Sequence, residues 1–163
     1  MRDPEAVPVV ELGRGESGAE PSAALVVGFD RSAASRAALE TAAELGRRLG
    51  AEIHVLHAID LADYPVDPDA DDWETQAAKS LEEERGIVAA ALAGYPHGWF
   101  YSALRAEPAE ALNRVAERVD ALMIVVGVRS HGWRHLFERL AGPSVSHRLM
   151  NHTHRPVLVV SNV

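Results

Sequence analysis

The chain has no cysteine among its 163 residues, which removes disulfide frameworks, thiolate nucleophiles and cysteine-built metal sites at once. It also has no apolar run long enough to cross a bilayer. Its first 21 residues, broken by Pro4, Pro8 and Pro21, lack the basic start and apolar stretch of a secretory signal. Positive charge is in short supply: the formal net charge is −8, so the field of the whole molecule repels a polyanion such as DNA. These absences point away from membranes and nucleic acid and toward a soluble, cytoplasmic protein.

What is present is an ordinary globular composition, 47% apolar and 25% charged, at a length suited to one compact core. Residues 1–22 show neither helical nor strand periodicity and read as a flexible tail; the folded domain is expected over 23–163. From Ala24 onward, short apolar runs alternate with amphipathic stretches, the pattern of a parallel sheet covered by helices.

Five strands are expected: Ala24 to Phe29, Glu52 to Ile59, Trp99 to Leu104, Ala121 to Val126 and Pro156 to Val160. Ser32 is placed to cap a helix whose Ala34, Ala38, Ala42, Leu45 and Leu49 share one face, and Gly50 to end it. A second helix follows the Asp-rich stretch from Asp60 to Asp72, with Asp71 and Glu74 spaced as a capping box and Trp73, Ala77, Leu81, Val88 and Leu92 as its apolar stripe. Pro108 suits the first position of a third, and a short fourth is expected near Ser144 to Asn151. Because every connection has room for a helix, right-handed crossovers give an open, mostly parallel α/β sheet.

Ligands of such sheets bind outside the carboxyl ends of the strands, where the strand order reverses. The candidates there are Asp30, Ala58 and the stretch from Gly127 onward, which holds Gly127, Gly132 and Gly142, then Ser144 and Ser146 at an expected helix start, with Arg129 nearby. Glycine lets a backbone approach a ligand and free amides at a helix start bind anions, so phosphate is the natural guest. Glycine and serine between a strand and a helix are equally ordinary punctuation.

Signatures of catalysis are sparse. No dinucleotide fingerprint or P-loop follows the first strand, and Gly142-Pro-Ser144-Val-Ser146 lacks the closing glycine of a nucleophile elbow. His131 and His135, or His152 and His154, come without a carboxylate cluster of matching spacing. Asp67, Asp69 and Asp71 alternate like a calcium loop, but Asp72 stands where that loop needs glycine and Ala78 where it needs glutamate. No catalytic residue and no metal ligand is assigned.

The stretches VVGFDRSAASRAALETAAELGRRLGAEIHVLHAID, EPAEAL and GPSVSHRLMNHTHRPVLVV together resemble the universal stress protein family, from about Ala24 to Val160. The resemblance implies a Rossmann-like sheet of five strands in the order 3-2-1-4-5, helices on both faces, dimerisation through the last strand, a role in stress response and, in one branch, binding of ATP with Mg2+. In that branch the phosphates lie on a Gly-x2-Gly-x9-Gly-Ser/Thr loop. Gly127 matches its first glycine, but Ser130 stands where the second is expected; Gly132 and Gly142 keep the nine-residue spacing, and Pro143 follows where the branch has Ser or Thr. Aligned backward from the end, Ser144, Val145 and Ser146 match the family's Ser-Val-Ser instead. Proline has no N–H and removes one donor from an anion nest. Asp30 matches the family's nucleoside-side acid and Ala58 falls where its backbone meets the base, although aspartate at this position can equally cap the next helix. Two readings follow: a nucleotide-binding sensor with a divergent phosphate loop, or a nucleotide-free dimeric interaction protein in which Leu136, Phe137 and Leu140 close the pocket. Slow ATP hydrolysis has the least support, because no residue is identified to orient water.

Overall fold

The computed structural model describes residues 10–14, 20–59, 73–129 and 153–162. The described elements are β1 (Val10–Arg14), β2 (Ala23–Gly28), α1 (Ala33–Leu49), β3 (Ala51–Ala58), α2 (Trp73–Ala91), β4 (Trp99–Leu104), α3 (Pro108–Arg118), β5 (Met123–Arg129) and β6 (Val157–Asn162). The strands form one sheet in the order β1-β4-β3-β2-β5-β6. Its five parallel strands, β2 to β6, follow the expected 3-2-1-4-5 arrangement, with the order reversing between β2 and its two neighbours, β3 and β5.

Within residues 1–22, expected as a flexible tail, the described residues Val10–Arg14 form a sixth strand. Val10–Arg14 pairs antiparallel with β4, Val10 opposite Ala103 and Arg14 opposite Phe100, with a shift in register between Glu11 and Gly13. A strand this short carries no readable period; the free backbone groups along the edge of β4 supply the partner that its own sequence does not announce.

Local chemistry explains the helix ends. The Ser32 hydroxyl accepts from the Ser35 amide at the start of α1, and Gly50 ends the helix at a φ of 64°, the left-handed geometry that glycine adopts without a Cβ clash. Ser22 ties the entry to β2 onto that end, its amide donating to the Gly50 carbonyl at 2.9 Å and its hydroxyl to the Leu49 carbonyl at 2.9 Å. In α3, Pro108 stands in the first turn and the Glu107 carboxylate accepts from the amides of Ala109 and Glu110.

Helices cover both faces. On one, Ala38, Leu39, Ala42 and Ala43 of α1 and Val88 of α2 pack with Leu92 against Val27, Ile53, Val55, Tyr101 and Val125. On the other, Ala111, Leu112, Val115 and Ala116 of α3 pack against Val26, Leu56, Leu104 and Ile124. The alanine-rich face of α1 brings its backbone so close to β5 that a Cβ on Gly127 would lie 2.1 Å from the Ala34 carbonyl oxygen.

Candidate functional site at the carboxyl ends of the strands

The sheet brings Asp30 and Ala58 to the carboxyl ends of β2 and β3, with Gly127 beside them on the adjacent β5, two residues before its end. Gly28 pairs with Leu56, and Asp30 and Ala58 each stand two residues beyond those partners; Val27 pairs with Val125, two residues before Gly127. The Phe29 amide donates to the Leu56 carbonyl at 2.9 Å, so pairing with β3 continues to the residue before Asp30.

Asp30 is exposed, and its Oδ1 accepts from the Ser32 amide at 3.0 Å, while its own amide donates to the Ser35 hydroxyl at 3.3 Å. It therefore shapes the turn into α1, and the cap itself is Ser32. Ala58 is half-buried as the last residue of β3.

Gly127 differs from its expected place. The apolar run that marks the strand ends at Val126, but β5 continues to Arg129 because β6 pairs with it from Ile124 onward, Gly127 opposite Val160 and Arg129 opposite Asn162. Gly127 lies within a strand, and the main chain of α1 above it leaves no room for a side chain. Ser130, Gly132, Gly142, Ser144, Val145 and Ser146 lie outside the described residues, as do the expected helix near Ser144 and the turn at Leu136, Phe137 and Leu140.

Beside these residues stands a polar cluster that the sequence reading missed. Glu84, on α2, is a carboxylate fully buried in the apolar face. Its Oε2 accepts from Arg31 Nε at 2.9 Å, and its Oε1 from the Tyr101 hydroxyl at 2.8 Å. The same Oε1 lies 2.5 Å from His57 Nδ1. One guanidinium nitrogen of Arg31 also donates to the hydroxyl of Ser80, one turn earlier on α2, at 2.9 Å, and to the Ser80 carbonyl. A single carboxylate thus ties α2 to the turn after β2, to β3 and to β4. One signal was legible: Glu84 lies three residues after Leu81 and four before Val88, inside the apolar stripe of α2, where a carboxylate needs partners.

Among the described residues, no group of three or more His, Cys, Asp or Glu side chains is arranged to hold a metal ion, and no helix is long and apolar enough to cross a membrane.

The comparisons with known proteins agree with this architecture. A universal stress protein from Archaeoglobus fulgidus, solved in complex with dAMP, is 23% identical, with a TM-score of 0.53, over 87% of this chain and 98% of its own. A universal stress protein solved in complex with cAMP is 22% identical, with a TM-score of 0.58, over 86% of this chain and 98% of its own. A member of the family from Burkholderia pseudomallei is 25% identical, with a TM-score of 0.52, over 85% and 95%. No curated protein sequence matches the chain. The sequence profile of the universal stress protein family matches residues 23–161, from the first residue of β2 to the last but one of β6, and with its strand order realised here the chain belongs to that family.

Proposed function

We propose that this domain is a cytoplasmic stress-response module that binds an adenine nucleotide at the carboxyl ends of β2, β3 and β5. The observation that carries this reading is the meeting of Asp30, Ala58 and Gly127 at the reversal of strand order, the place where open α/β sheets hold ligands. In this reading Asp30 and the Ala58 backbone meet the nucleoside, while the segment from Gly127 through Arg129, Ser130, Gly132 and Gly142 to Ser144, Val145 and Ser146 meets the phosphates. Structural relatives solved with dAMP and cAMP favour a nucleotide as the guest. Binding, rather than catalysis, is the proposed activity. A second copy pairs along β6, whose Val157 and Val159 are exposed on the edge strand of the sheet.

A nucleotide-free interaction module is the second reading. Gly127 favours it, since the carbonyl of Ala34 demands glycine there whether or not a phosphate binds. Equilibrium binding of ATP, with and without magnesium and with AMP alongside, separates the two. Micromolar, magnesium-dependent ATP binding that Asp30→Ala abolishes supports the sensor; no binding at millimolar ATP leaves the interaction module.

A further inference from the structure

We infer that Arg31 is a positioning residue, a clamp that fixes the turn carrying Asp30 to α2 before any ligand arrives; its consequence for binding rests on the nucleotide reading above. Arg31 has a φ of 64°, a left-handed conformation that costs a branched or long side chain free energy and that glycine adopts freely. Something must hold it there. The side chain shows what does: Nε donates to the buried Glu84 and a terminal nitrogen to Ser80, so the guanidinium spans one turn of α2. Glu84 is anchored in turn by His57 on β3, the strand beside β2, and by Tyr101 on β4, one strand further out. The turn bearing Asp30 is therefore held from both ends, by Ser32 and Ser35 on the α1 side and by Arg31 on the α2 side.

A turn fixed in advance loses less entropy when a ligand docks, which is the means by which a residue that touches no ligand raises affinity. Lysine can replace the ion pair with Glu84 but cannot reproduce the forked grip on both α2 residues. Arg31→Gly removes the grip while leaving a residue that suits the backbone conformation.

The test measures amide exchange of the ligand-free protein and AMP affinity for the wild type, Arg31→Gly and Arg31→Lys. The expected result for Arg31→Gly is exchange at residues 29–35 faster by about tenfold with β3 still protected, and an AMP Kd weaker by about tenfold, a change equal to 1.4 kcal/mol. Arg31→Lys, which keeps the ion pair without the fork, should fall between the wild type and Arg31→Gly in both. Unchanged exchange at 29–35 in Arg31→Gly overturns the clamp, and so does an unchanged Kd in a protein that binds AMP. If the wild type binds neither AMP nor ATP, the nucleotide reading fails and the exchange comparison alone decides the clamp; if it binds ATP alone, the affinity comparison is made with ATP. Should Arg31→Gly not fold, Ser80→Ala replaces it, with a smaller change in the same direction expected and none overturning the inference.

Discussion

The two faces of the sheet are held by different physics. Under α3 the contacts of Val26, Leu56, Leu104, Leu112, Val115 and Ile124 are aliphatic, and their fit depends on shape and on apolar area removed from water. Under α1 and α2 the core includes Phe29, Tyr95, Trp99 and Tyr101 and encloses the charged Glu84. A carboxylate in such a place is tolerated only while its partners stay in place. The first face can drift by small repacking; the second is all or none around one residue. The polar face is also the one that reaches Asp30.

That contrast can be broken most forcefully at Glu84. Glu84→Ala leaves Arg31, His57 and Tyr101 without their shared acceptor, and a loss of about 3–5 kcal/mol is expected from urea unfolding, a large share of a domain's usual stability. Leu112→Val on the aliphatic face, at about 1 kcal/mol, is the control that sharpens the difference. Between them falls Gly127→Ala, whose new methyl group must push α1 off β5; about 1–3 kcal/mol of destabilisation is expected, with amide exchange quickening first at the start of α1.

The smallest effect concerns the opposite end of the polar face. The Tyr95 hydroxyl donates to the Ala51 carbonyl at 2.5 Å, and burial pushes its pKa up to about 12, opposed by the nearby positive charge of Arg47. A phenol whose pKa is higher in the folded than in the unfolded state adds stability that is complete below pH 10 and lost as pH rises toward 12. Tyr95→Phe should cost about 1 kcal/mol at neutral pH and lessen the stability lost between pH 10 and 12, read from unfolding midpoints across that range.

Much of this was legible in the sequence, and the reasons are specific. Ser32, Gly50 and Pro108 act on the backbone within a few residues of themselves, so their roles are local and visible along the chain. The strand Trp99–Leu104 was bounded by turn residues and stands where expected. By contrast, β1 exists only because β4 has an edge to offer, and β5 runs three residues further than its apolar run because β6 accompanies it. The cluster at Glu84 was hidden for the same reason: its partners Arg31, His57 and Tyr101 are brought together by topology, and no spacing in the chain links them. Gly127 was noticed for phosphate, yet its nearest constraint is the α1 backbone.

The strand β1 has a consequence for assembly. It seals the far side of the sheet with five residues and a break in register, a poor template for another chain, while β6 at the opposite border presents a regular ladder of parallel pairing to β5. A sheet with two good borders can add copies without limit. With one border blunted, the pairing proposed along β6 would use up the good border of both molecules, and growth would stop at two.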